Sequence, residues 1–399
     1  MASGSLTTVA YIYKRLYSDK KVGDMAMRYH PTLSKCSKEG GFGGVTFHYP
    51  ARYGNPQGIS GTFADAQTAA ETSKGEQYAA SRSIKYGVIT VDGESMAAAE
   101  GSKSAFLDLV TQETDGVIEA MGDTLGFDFF RAGNGQRGRR SSASTDIITL
   151  SVADDVRNFK VGMTVIASAN ADGSSARSGS TKVEAFDQSS GTITLVSAAA
   201  LISFADNDYL FRLGDPATCM DGLADLYPLT APVFESDSFR GVDRGQAVEL
   251  LSGVRIDDTA TSIEENAGLV AVNIAQNGKR SDTLVLNPIN YWQVIRRLNA
   301  KVEFDDGGGT ANYGFEYFKI HSPAGTLKCY SDADCPTNRG YVLNQSTNYI
   351  KHLKAFIHVI TDDGRPTLRQ TSADGIEARI RSMSNLIGND TACNGVFSI

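Results

Sequence analysis

Apolar side chains at Met96, Phe106, Leu107, Val110, Val117, Ile118, Met121 and Leu125 recur at the three-and-four spacing of one buried helical face. The spacing predicts a single helix from Ser95 to Leu125, roughly 45 Å long at 1.5 Å per residue. A rod of that length has to serve as a spine on which other elements pack. Asp92-Gly93-Glu94-Ser95 offers capping groups and early negative charge, and Gly126 is read as the left-handed stop. Gly101, Gly116 and Gly122 lie inside the helix at about 1 kcal/mol each relative to Ala, so packing must hold it. Asp115, Glu119 and Asp123 form a like-charged ladder at i, i+4, unfavourable unless basic groups lie opposite. A solvated acidic face is the plain account of that ladder. The sharper account is a face that meets Arg or Lys from elsewhere in the fold or from another copy of the chain.

Ahead of the helix, an apolar and aromatic cluster (Val9, Tyr11, Ile12, Tyr13, Leu16, Tyr17) leads to a basic stretch and to Gly40-Gly41-Phe42-Gly43-Gly44, a turn or hinge. No Lys-Ser/Thr follows those glycines and no apolar strand precedes them, which argues against a phosphate loop. Val45 to Tyr49 and Ile84 to Val91 read as strands, the second with Ile84, Tyr86 and Val88 alternating on one face. Pro50 to Ser83, between them, is dominated by Gly, Ala, Ser, Thr and Gln and cannot build a core. So long a segment is unusual inside a compact domain, and the expectation is an extended two-stranded arm stabilised against neighbours, with a disordered loop as the alternative.

Beyond the helix, residues 131–140 (RAGNGQRGRR) read as a flexible basic connector whose arginines, Arg131, Arg137, Arg139 and Arg140, could meet phosphate or the acidic ladder. Ile147 to Leu150, Met163 to Ala167, Lys182 to Phe186, Thr192 to Val196 and Tyr209 to Leu213 are short strand-like runs between turn residues, the pattern of a small inserted β-barrel or sandwich. From Gly214 the pattern alternates. Thr261-Ser262-Ile263-Glu264 is a capping box opening a helix through Ile263, Ala267, Val270 and Ile274, with Asn277-Gly278 as its stop. Leu284 to Leu286 reads as a buried strand, Asn287-Pro288 opens a helix carrying Ile289, Trp292, Ile295 and Leu298, and strands follow at Tyr313 to Ile320, Leu327 to Tyr330 and Ala355 to Ile360. Two helices against a mixed sheet make an α+β domain.

Chemistry is hard to find. His30, His48, His321, His352 and His358 form no metal spacing, and there is no GxSxG, Walker or Rossmann fingerprint. Asp257-Asp258, Asp305-Asp306 and Asp362-Asp363 sit in turn-like sequence. Cys36, Cys219, Cys329, Cys335 and Cys393 are odd in number, scattered and without CxxC, so they read as reduced packing residues. A net charge of -8 and a pI near 5.3 argue against a free-standing nucleic-acid binder. No run approaches the ~20 apolar residues of a membrane span, and no secretion signal opens the chain, so the expected setting is a cytoplasm. No catalytic residue, cofactor or metal site is assigned.

The order of these parts resembles the major capsid protein of tailed bacteriophages, the Hong Kong ninety-seven-like fold. Local stretches carry the same likeness: Phe159-Lys160-Val161-Gly162-Met163, Thr283-Leu284-Val285-Leu286-Asn287-Pro288, and Asp334-Cys335-Pro336 leading to Gly340-Tyr341-Val342-Leu343-Asn344. The resemblance implies an α+β fold with an N-terminal arm over 1–44, an E-loop hairpin over 45–91 and a peripheral domain with the spine helix over 92–140. An inserted small β-barrel over 141–213, an axial domain over 214–345 and a return to the peripheral domain over 346–399 complete it. It further implies pentamers and hexamers in an icosahedral shell around double-stranded DNA, bound without sequence specificity, in a virion assembled in the host bacterial cytoplasm. Portal, a separate scaffolding protein (only 44 residues precede the E-loop) and a decoration or cement protein are the implied partners. Expected subunit contacts are Arg52, Tyr53, Gln57 and Lys74 on the E-loop, Asp115, Glu119 and Asp123 on the spine, and Arg137, Arg139 and Arg140 beyond it. The type member joins subunits by Lys to Asn bonds; Lys74 and Asn385, Asn389 or Asn394 are present, but no motif fixes a pairing and cross-linking is not expected. The rival readings are an encapsulin-like compartment and, from another class, a β-rich carbohydrate-binding or carbohydrate-degrading protein, for which a single Trp is a poor supply of sugar platforms.

Overall fold

The computed structural model describes residues 19–94, 103–144, 146–196, 203–298, 317–322, 324–361, 367–370 and 374–399. The chain divides into two units, the first built from residues 1–26, 83–225 and 357–382, the second from 27–82, 226–356 and 383–399.

The first unit is organised on the helix Lys103–Phe130. Its expected beginning, 95–102, lies outside the described residues, and its end differs from the sequence reading: the helix runs through Gly126 to Phe130. The physical reason is burial. Leu125, Phe127, Phe129 and Phe130 are all at or below 4% exposure, so the extra turn brings three aromatic rings into the core. The short helix Asp19–Ala26 crosses the spine at Gly122, where the Ala26 carbonyl comes so close that a side chain at residue 122 would collide with it. Strand Ser83–Asp92 packs on the spine through Gly87, against Val117 and Met121. Its buried face is the one opposite Ile84, Tyr86 and Val88. Ile84, Tyr86 and Val88 are exposed, while Ser83, Lys85, Ile89 and Val91 point inward. The strand pairs with Gly375–Gly388, whose residues up to 382 belong to this unit and also pair with His358–Val359 and Thr367–Arg369.

Six antiparallel strands of this unit close a barrel in the order Tyr209–Arg212, Gln136–Ser144, Ile147–Leu150, Thr192–Leu195, Thr181–Asp187, Thr164–Ser168, the last pairing back to the first. Alternate residues fill it, among them Ile148, Val165, Val183, Ile193 and Leu210, with Val156 and Phe159 as a plug from the connecting segment. The stretch read as a flexible basic connector is therefore largely structured, since the barrel begins at Gln136. Arg137 and Arg140 are buried there because their guanidinium groups satisfy chain carbonyls and carboxylates.

In the second unit, strands run in the order Val254–Ile256, Gly395–Ser398, Arg339–Leu343, Thr283–Leu286, Gly325–Ser331, Phe318–Ser322 as one mixed sheet. Helix Ile263–Gln276 begins as the capping pattern predicts, with the Ser262 hydroxyl accepting from the Glu265 amide, and packs Ala267, Val270 and Ile274 on the sheet. Helix Pro288–Leu298 starts under the Asn287 side chain, which accepts from the Ile289 amide. Its buried stripe differs from the expected one: Tyr291, Val294 and Ile295 face the core, whereas Trp292 is 60% exposed and Ile289 40%. Strands Ser37–Glu39 and Asn348–His352 run parallel, and the latter pairs antiparallel with residues 384–388. All five cysteines are free and buried. Among the described residues, no helix is long and apolar enough to cross a membrane.

Candidate assembly site

Residues 46–81 form the two-stranded arm read from the sequence. Strands Thr46–Gly54 and Lys74–Ser81 pair antiparallel with Tyr49 opposite Tyr78, and a register shift between Arg52 and Gly54 marks where regular pairing ends. The two halves of the arm differ in kind. Its root is fixed by a run of aromatic contacts, Phe42 to Phe47 (5.8 Å), Phe47 to Tyr49 (6.3 Å), Tyr49 to Tyr78 (5.0 Å) and Tyr78 to Phe239 (6.2 Å). The Tyr78 hydroxyl donates to the Leu251 carbonyl at 2.8 Å, and burial pushes its pKa up. Arg240, held at φ +50°, donates to the Tyr49 hydroxyl (2.9 Å), the Leu386 carbonyl (2.8 Å) and Asn385 Oδ1 (3.2 Å). A non-glycine residue in that conformation is costly, and three hydrogen bonds plus two ring faces over-determine it.

Past Tyr53 the support ends. Helix Phe63–Thr68, N-capped by Thr62 through the Asp65 amide, has no buried residue. Ile59 is 85% exposed and Phe63 83% exposed. Of the expected contact residues, Arg52, Gln57 and Lys74 are exposed on this tip, Lys74 lying 3.7 Å from Glu71, while Tyr53 leans partly onto the root. Of the asparagines considered for cross-linking, Asn385 and Asn394 are buried and bonded inside the unit, Asn394 accepting from the Asn344 amide and the Asn348 side chain. Asn389 is exposed.

On the spine, Glu119 is exposed, Asp115 is partly buried, and Asp123 meets Lys160 of the barrel plug at 3.2 Å. Arg137, Arg139 and Arg140 find their partners away from this ladder. Arg137 donates to Asp215 Oδ2 and the Asn158 carbonyl, both at 3.1 Å; Arg140 engages the Phe204 carbonyl and Asp206; Arg139 donates to the Asn207 carbonyl over the Tyr209 ring. Arg137 thereby joins a buried charge cluster that the sequence reading missed. Lys85 Nζ lies 2.7 Å from Asp215 Oδ1, 3.5 Å from Asp128 Oδ2 and 3.0 Å from Cys219 Sγ. Burial acts to lower the Lys85 pKa, but Asp128, Cys219 and Asp215 outweigh it and hold the ammonium above its ordinary value. Burial pushes the Asp128 carboxyl and the Cys219 thiol up. Arg212 completes the group through the Thr124 hydroxyl at 2.6 Å. Strand Ser83–Asp92, the spine, the first barrel strand and the segment after the barrel are thereby joined at one point. The available signal was Asp128 inside Phe127–Phe130 and Lys85 on the inward side of its strand, each a charge at a core position.

No family model matches the chain, and no curated protein matches it significantly. Among solved structures, the chain superposes on the cyanophage A-1(L) capsid asymmetric unit with a TM-score of 0.53 at 10% identity, covering 93% of this chain and 92% of that one. The fold is the phage capsid fold. A Mycobacterium phage Adephagia structure matches over 100% of this chain and 98% of its own (14% identity, TM-score 0.43). The holo-SrpI encapsulin complex from Synechococcus elongatus matches over 91% and 84% (6% identity, TM-score 0.46).

Proposed function

We propose that this chain is the major capsid protein of a tailed phage, a structural subunit that assembles as pentamers and hexamers into an icosahedral shell around double-stranded DNA. One observation carries the reading: an arm locked at its root by an aromatic stack ends in a tip that exposes Ile59 and Phe63 and buries nothing. Two large apolar side chains held in water on a two-stranded ribbon are stabilised only when another surface covers them. In a shell, that surface is the next subunit. Arg52, Tyr53, Gln57 and Lys74 then lie in the arm contact and Asp115, Glu119, Asp123 and Arg139 on surfaces available to neighbours, while Arg137 and Arg140 support the subunit from within. A separate scaffolding protein, a portal and a decoration or cement protein are the partners of this reading, and the virion, assembled in the host cytoplasm, is its location.

The test is electron microscopy of sedimented particles from cells expressing the chain with its scaffolding protein. The parent should form closed polyhedral shells. Ile59→Asp with Phe63→Asp, or deletion of 57–74, should leave soluble subunits or capsomers with an unchanged melting curve. Intact shells from either variant would refute the arm's role, and shells that hold protein cargo and no DNA would favour a compartment.

A further inference from the structure

A lysine at a core position is costly unless its charge is neutralised, and Lys85 sits at one, on the inward side of strand Ser83–Asp92 in the first unit. Its Nζ meets two carboxyls at once, 2.7 Å from Asp215 Oδ1 and 3.5 Å from Asp128 Oδ2. The carboxyl carbon of Asp215 is one carbon–oxygen bond further, at most about 4 Å from the nitrogen, close to the ~3–3.5 Å from which an amine attacks. The two carboxyls are held differently. Arg137 Nη2 fixes the far oxygen of Asp215, Oδ2, at 3.1 Å. Asp128 is looser: neither of its buried oxygens has a hydrogen bond of ordinary geometry, and the Lys85 ammonium and the Cys219 thiol face it. Lys85, Asp128, Arg137, Asp215 and Cys219 are each no more than 8% exposed, so the site is close to dry.

We propose that Lys85 and Asp215 condense to an amide inside the folded subunit, with Asp128 as the proton carrier. Nζ bonds to Cγ of Asp215, and the Cγ–Oδ1 bond breaks. Of the three protons on the ammonium, one stays on the amide nitrogen and two leave with Oδ1 as water, relayed by Asp128, which ends as it began. Atoms and charge balance with no other reactant. Arg137 is aimed at the oxygen that carries the negative charge of the tetrahedral intermediate and then becomes the amide carbonyl. The ammonium must first lose a proton; burial favours that loss, and Asp128, Cys219 and Asp215 oppose it, so the bond forms slowly. Asp128, whose carboxyl burial pushes up, is the acceptor at hand, and the transfer discharges two groups that a dry core disfavours. In bulk water hydrolysis would win, but here the reacting groups are held together and the water formed is expelled. Asp215 is the carboxyl attacked because it is the nearer one and is pinned, whereas Asp128 is free to carry protons. The bond ties strand Ser83–Asp92 to the segment after the barrel, closing a covalent loop around the spine and the whole barrel. It lies within one chain and does not depend on the shell reading.

The experiment takes the purified full-length chain, unfolds it and measures its intact mass by electrospray mass spectrometry, then digests it with trypsin. The parent should be lighter than its sequence by one water. Trypsin does not cut after an acylated lysine, so the digest should contain a branched peptide joining residues 83–103 to residues 213–240. Lys85→Arg, which keeps the charge and removes the amine nucleophile, should have its full sequence mass. Asp128→Asn, which keeps the shape and removes the proton carrier, should also have its full sequence mass while still melting cooperatively. A parent at full sequence mass would overturn the proposal with no variant needed, as would a water lost without a peptide that joins Lys85 to Asp215. A branch from Lys85 to residue 128 would overturn the roles given to the two carboxyls, and so would a bond formed as completely in Asp128→Asn as in the parent. Shells built of unlinked subunits would refute only the bond, and linked subunits that never assemble would refute only the shell.

Discussion

Gly122 and Gly116 lie on the same helix two turns apart, yet alanine should act in opposite directions at the two. At Gly122 the new methyl would stand 2.1 Å from the Ala26 carbonyl oxygen and 2.8 Å from its carbon. Both are backbone atoms that cannot rotate aside, so the helix Asp19–Ala26 must withdraw by about an ångström, loosening Val22 and Ala26, which are now buried. Overpacking of this kind costs about 1–3 kcal/mol, against a gain of about 1 kcal/mol for removing a glycine from a helix interior. The net expectation for Gly122→Ala is a loss of up to ~2 kcal/mol. A Cβ at Gly116 meets nothing within 4 Å, so Gly116→Ala should keep the propensity gain, up to ~1 kcal/mol. Urea unfolding followed by far-ultraviolet circular dichroism gives the signs, and hydrogen exchange of the amides of 19–26 locates the damage, since only Gly122→Ala should accelerate them. Stabilisation by both substitutions, or unchanged exchange in 19–26, would refute the close approach as the reason for glycine at 122.

Three further outcomes are expected. Lys85→Met strands Asp128 in the core, leaving Asp215 to Arg137 alone, and should cost about 3–5 kcal/mol, and adding Asp128→Leu should recover much of it; a double variant no better than the single would show that the cluster does not act as a unit. Asp332, buried and near Asp334, has its pKa pushed up to about 6, so the folded state holds its proton more tightly than the unfolded chain does. Its contribution is thus most favourable below about pH 4 and is lost as pH rises to about 6, a change of ~3 kcal/mol that Asp332→Asn should remove from the pH profile of urea unfolding. Phe42→Ala should cost about 3–5 kcal/mol because that ring is fully buried under the arm root, while Phe63→Ala, 83% exposed, should leave the melting curve of the unassembled subunit unchanged.

The elements that rest on local rules were legible: the arm from its lack of large apolar residues, the barrel from evenly spaced short strands, and the helix at Ile263 from its capping box. Errors arose where packing overrode local preference. Gly126 looked like a stop because nothing local shows that Phe127, Phe129 and Phe130 have a core to enter. Ile84, Tyr86 and Val88 mark one face of their strand, and alternation alone does not say which face the spine takes. The stretch 131–140 read as a flexible connector because Asp215, the partner of Arg137, is distant in sequence.

Strand Gly395–Ser398 lies between Val254–Ile256 and Arg339–Leu343, and the arm root shares its core with Val242, Leu251 and Ile387. A ribosome therefore makes the arm early but cannot give it a finished seat until almost the whole chain has emerged. On the shell reading proposed above, nascent chains on one messenger would carry arms whose roots are not yet fixed, and synthesis itself would hold assembly back until each subunit is released.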